Sequence, residues 1–126
     1  MKALLLIDRG SREPGVKQEL KKICSIAKYK TGYDYATYCF LEVVPPFIEE
    51  GIKKSLKHNP KILLLAPYFL HEGAHIKYDI VREVKEALHK YDFKNAYLGR
   101  HLGIDEKLIN IVVERVKEVE KRIAKL

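Results

Sequence analysis

Cysteine is nearly absent: Cys24 and Cys39 are the only two in 126 residues, too few for a disulfide framework. No CxxC pair and no Cys/His cluster occurs, so no structural zinc site is expected. No run approaches the ~18–20 consecutive apolar residues that a membrane span needs. Met1–Ile7 is too short and too quickly followed by charge to read as a signal peptide. Neither GxxxxGKS/T nor GxGxxG occurs, which leaves nucleotide binding without its usual phosphate-cradling loop. Together these absences point to a reduced, cytoplasmic setting with no membrane partner.

The chain does carry charge. Twenty-four Lys and Arg against 17 Asp and Glu give a net +7, with 33% charged and 47% hydrophobic residues. That composition is globular rather than disordered, and the length suits a single domain over residues 1–126. A basic surface favours an anionic partner such as a phosphate, a nucleic acid or a polycarboxylate. A Lys/Glu-rich surface of the kind found in thermophiles would need no partner.

Four strand–helix pairs follow from the hydrophobic patterning. Lys2–Ile7 and Lys61–Ala66 are short continuous apolar runs, the pattern of strands buried on both faces. Tyr35–Leu41 is rich in aromatic and β-favouring residues and reads as the second strand, and Ala96–Leu98 as a short fourth. Helices are expected from Pro14 to about Tyr29, from Pro45 and Pro46 to about Leu56, from about Ala74 to Tyr91 and from Asp105 to about Lys125. In the last, Ile109, Val112, Val113, Val116, Val119 and Ile123 form an apolar stripe. The alternation predicts an α/β three-layer sandwich, βαβαβαβα, with a four-stranded parallel sheet covered on both faces. Ligands of such sheets sit at the carboxyl ends of the strands, which directs attention to three loops.

The first loop reads Asp8-Arg9-Gly10-Ser11-Arg12. Glycine allows a tight turn and close ligand approach. Ser11 and nearby backbone amides suit an anion, and Arg9 and Arg12 suit carboxylate or phosphate. The same pattern also fits a plain turn with solvated arginines. The second loop opens with Glu42, a carboxylate that can act as base or metal ligand, or simply pair with a surface lysine. The third runs from Pro67 to His75 and holds His71 and His75. The string HEGAH matches HExxH letter for letter, but Gly73 puts His71 in the loop and His75 in the first helical turn, so a zincin is excluded. His58, His89 and His101 are expected to be solvated.

Taken in order, these segments resemble the small CbiX/SirB family of class II tetrapyrrole chelatases. The resemblance rests on Asp8–Arg12 against the family's GHGSR and on Phe40-Leu41-Glu42 followed by Pro45 and Pro46. It extends to the long segment from Pro67 through His75 to Asp79-Ile80, and to Leu102-Gly103-Ile104-Asp105. It implies insertion of a divalent metal, cobalt first and nickel second, into sirohydrochlorin. The metal would be a substrate, and no organic cofactor is implied. It further implies a symmetric homodimer, since one four-stranded domain offers little cleft for a macrocycle. His75 would be the metal-binding histidine and Glu42 the catalytic carboxylate. Arg9, Gly10, Ser11, Arg12, Tyr68 and Phe69 would hold the polycarboxylate substrate.

One position departs from the family. Arg9 stands where the family carries its first metal-binding histidine, and a guanidinium has no lone pair for a metal. His71 could supply the missing ligand, or two His75 side chains of a dimer could act together. Alternatively, Arg9 makes the site a carboxylate clamp in a non-catalytic tetrapyrrole-binding protein. A basic phosphate- or nucleic-acid-binding domain is the remaining alternative, although no recognised nucleic-acid motif supports it.

Overall fold

A computed structural model describes residues 1–122. The elements are β1 (Lys2–Asp8), α1 (Val16–Thr31), β2 (Tyr35–Phe40), α2 (Ile48–Leu56), β3 (Ile62–Pro67), α3 (Ala74–Lys90), β4 (Ala96–Leu98) and α4 (Glu106–Arg122). The four strands are all parallel in the order β2-β1-β3-β4. This is the expected α/β sandwich, with strand edges within a residue or so of those read from the sequence.

β1 is the centre of the sheet. Ala3 to Asp8 pair with Tyr35 to Phe40 on one side, and Lys2 to Ile7 pair with Ile62 to Pro67 on the other. Side chains alternate between faces along each strand. Ala3, Leu5, Ile7, Cys39, Leu63 and Leu65 form one face and build the main core with Ile48 and Ile52 of α2 and Ile80, Val84 and Ala87 of α3. α2 approaches closely because residue 51 is glycine: a Cβ there would lie 2.7 Å from the Cβ of Cys39. Leu4 and Leu6 point to the opposite face, where α1 packs along β2 and buries Leu20 and Cys24. Both thiols are therefore inside. Burial pushes that of Cys24 up to about 11 and raises that of Cys39 further still.

Two helix starts differ from expectation. α1 begins at Val16, after Gly15 in the left-handed region at φ 99, so Pro14 belongs to the preceding turn. α2 begins at Ile48, after Pro45 and Pro46, and the Pro46 carbonyl is engaged outside the helix, accepting the N–H of Phe40 at 2.7 Å. Glu50 then reaches back to the Phe47 N–H at 3.2 Å and caps the helix.

The larger difference is α4. Its apolar stripe finds no cover: no residue of α4 is buried. Val112 is 62% exposed, Val116 51% and Val119 63%, while Ile123 lies outside the described residues. Among the described residues, the helix that packs on the second face is α1, against β2. Over β3 and β4, Leu64 and Ala66 are only half-buried and Tyr97 is exposed.

The tips of β1 and β2 are locked together. Leu41 donates to the Asp8 carbonyl at 2.8 Å and Glu42 to the Arg9 carbonyl at 3.0 Å. Gly10 sits at φ +118, and a Cβ on it would fall 1.9 Å from the Glu42 carbonyl oxygen. Gly10→Ala is therefore expected to destabilise the protein by about 2–3 kcal/mol. Denaturant melts check this, and an unchanged midpoint would mean that the two loops are not interlocked.

Candidate active site

The strand order brings the loops after β2, β1 and β3 side by side at one edge of the sheet. Asp8 ends β1 half-buried. Burial raises its carboxyl above the usual range, opposed by the backbone N–H groups of Gly10 and Arg9. One carboxylate oxygen accepts the Gly10 N–H at 3.4 Å. Asp8 thus serves the turn, and Arg9 finds its countercharge elsewhere: its Nε lies 3.4 Å from Oε1 of Glu42. Both side chains are more than half exposed, so this contact adds little stability. Among the described residues, both terminal nitrogens of the Arg9 fork are left open. Arg12 is exposed beside it, while the Ser11 hydroxyl oxygen accepts the Glu13 N–H at 3.0 Å and shapes the loop.

Glu42 is presented by a strained turn. The Val44 N–H returns to the Glu42 carbonyl at 3.0 Å, closing a γ-turn around Val43 at φ 77. Left-handed backbone is rare for a β-branched residue, and such conformations persist only where the surroundings impose them.

The third loop leaves β3 with the Tyr68 N–H donating to the Ile7 carbonyl at 2.8 Å. Of the two aromatic residues expected to touch substrate, Tyr68 is partly exposed at the loop. Phe69 is 7% exposed and belongs to the core cluster. Its ring anchors the loop from within the core, so little of it is open to a ligand.

His71 lies in the loop and His75 in the first turn of α3, as the glycine between them requires. They serve different surroundings. His75 projects into solvent, 89% exposed, with Nε2 3.4 Å from Oδ2 of Asp79. His71 lines a cavity of about 650 Å³ with His101, Ile104, Leu108 and Ile109, on the α4 side. Among the described residues, no three His, Cys, Asp or Glu side chains gather to hold an ion.

Sequence reasoning missed His101. It is half-buried and faces Glu72, its Nδ1 3.7 Å from a carboxylate that is only 9% exposed. The Leu102 N–H also donates to the Phe69 carbonyl at 2.9 Å, tying the β4–α4 loop to the β3–α3 loop. The signal was its position just beyond the fourth strand, at the ligand-bearing edge. His58 is exposed, as expected, and its ring stacks on Tyr35 with centroids 3.9 Å apart.

Glu83 was also unforeseen. It lines a cavity of about 500 Å³ between α2 and α3, with one carboxylate oxygen buried and without a partner. Burial raises its carboxyl, against the lowering effect of Arg82. The folded protein therefore holds this proton more tightly than the unfolded chain. The resulting penalty is absent below the unfolded value and complete above the raised one. Glu83→Gln is expected to raise Tm at pH 7, with the gain vanishing below about pH 4. Thermal melts across pH check the sign.

Comparison with known proteins places these features. The CbiX family model matches residues 3–119. A sirohydrochlorin cobaltochelatase of Priestia megaterium is 32% identical over 118 residues, covering 92% of this chain and 38% of that protein. A sirohydrochlorin ferrochelatase of the same organism is 28% identical over 118 residues, covering 94% and 44%. The crystal structure of the sirohydrochlorin chelatase SirB from Bacillus subtilis subspecies spizizenii in complex with cobalt superposes with a TM-score of 0.84. It is 29% identical, over 94% of this chain and 50% of that one. The chain thus spans half or less of the length of these relatives. Among the described residues, no helix is long and apolar enough to cross a membrane.

Proposed function

The chain belongs to the CbiX family, and from that premise we propose that it is a sirohydrochlorin chelatase inserting a divalent metal into the macrocycle. The observation that carries this reading is the meeting of Arg9, Glu42 and the His71–His75 loop at the carboxyl ends of three adjacent strands. Cobalt is the first choice of metal and nickel the second. Cobalt is supported by the cobaltochelatase relative and by the cobalt-bound structural neighbour.

The residues divide the work by chemistry. His75 offers an exposed imidazole, a donor that suits a divalent ion and releases it readily. Glu42 and His75 are the groups able to accept the pyrrole protons that must leave as the metal enters. The free Arg9 fork and Arg12 bind the peripheral carboxylates, with the close backbone at Gly10 and Ser11 and the exposed Tyr68 completing the wall. His71 is an additional metal donor on the α4 side of the loop.

The functional unit proposed is a cytoplasmic homodimer. Two observations support a second copy: the ferrochelatase of Priestia megaterium and the cobalt-bound SirB are about twice as long, and α4 leaves an apolar stripe exposed. A partner chain covers that stripe and supplies the second wall of the cleft. Val116→Asp is expected to convert dimer to monomer in sedimentation velocity and to abolish turnover. A wild-type protein that sediments as a monomer at micromolar concentration would sink this assembly.

The Arg9–Glu42 contact favours a second reading, a tetrapyrrole-binding protein without insertion chemistry, because the cation engages the carboxylate that would take protons. Anaerobic absorption spectra of protein, sirohydrochlorin and Co²⁺ or Ni²⁺ separate the two. Chelatase activity appears as conversion above the uncatalysed rate, reduced about a hundredfold or more in His75→Ala. A ligand-bound spectral shift with no conversion would establish the second reading instead.

A further inference from the structure

His75 is almost wholly exposed, and an imidazole in that position samples several rotamers unless something holds it. One group is placed to do so. Asp79 lies one turn further along α3, on the same face. Its carboxylate is better seated than the imidazole, with 29% of the side chain exposed, and is itself steadied by Arg82, whose Nη2 lies 3.8 Å from Oδ1. Arg82 in turn reaches Glu86 at 3.5 Å. The second carboxylate oxygen faces Nε2 of His75 at 3.4 Å, an ion-pair distance slightly longer than a well-formed N–H···O bond.

A neutral imidazole has one donor nitrogen and one acceptor nitrogen. With Nε2–H turned to the carboxylate, the lone pair on Nδ1 faces outward. A carboxylate on the far nitrogen both fixes the ring and strengthens it as a metal donor. We propose that Asp79 is the positioning residue for His75, taking its Nε2–H and presenting Nδ1 to the divalent cation substrate. The proposal rests on the chelatase reading for its biological meaning, while the cation–imidazole contact can be measured alone.

Two measurements on the full chain test it. In the first, the protein without sirohydrochlorin is titrated with Co²⁺ and the His75 ring resonances are followed by NMR as they broaden. Asp79→Asn should require about ten- to a hundredfold more Co²⁺ than wild type, and Asp79→Glu should restore much of the loss. In the second, steady-state insertion should show a raised KM for Co²⁺ with an unchanged KM for sirohydrochlorin. A merely structural surface pair would move neither quantity selectively. Equal Co²⁺ titrations for wild type and Asp79→Asn would overturn the proposal. Absence of insertion by wild type would instead overturn the chelatase reading and leave the titration to decide the role of Asp79.

Discussion

Where β1 and β2 end, the backbone ladder does not. Leu41 and Glu42 carry it onward to the carbonyls of Asp8 and Arg9, and Gly10 then turns beneath the Glu42 carbonyl in a space that admits no side chain. This close passage sets Arg9 and Glu42 face to face, although they lie in different loops. It also forces the chain after Glu42 into the strained turn at Val43. The ends of the two strands hold these side chains from the backbone, so the geometry of the pair does not rely on its weak, exposed ionic attraction.

β1 has the same role on its other side. Its pairing with β3 brings the histidine-bearing loop beside the first two, and the buried Phe69 ring keeps that loop from drifting. The β4–α4 loop is fastened to it by one backbone hydrogen bond and by His101 against Glu72. Four loops are thereby arranged on the edge of one small sheet. Rigidity comes from strand pairing and core packing, and the exposed side chains are left free to meet a ligand.

The elements were legible because buried parallel strands announce themselves: KALLLI and KILLLA have few other uses in a chain this charged. The loops carrying Arg9, Glu42 and His75 followed from the strand ends. Other features were hidden because they depend on contacts across the sequence. Tyr68 and Phe69 look alike in the sequence, and only the alternation at the end of β3 decides which ring enters the core. His101 and Glu72 are nearly thirty residues apart and meet through a strand too short to show a pattern. The stripe on α4 was correctly read as apolar, but amphipathicity tells that a face seeks cover and not which surface provides it.

The fate of the two thiols bears on what this surface can hold. Sulfur is the donor that would grip a soft divalent ion hardest, and both cysteines of the chain are sealed in the core with their thiols kept protonated by burial. The donors of the proposed site are nitrogen and oxygen, on His71, His75 and Glu42. Such ligands exchange an ion quickly. On the proposed function, the interior has thus removed from the rim the chemistry that would turn a transient stop into a permanent trap, and with it the groups most open to oxidation.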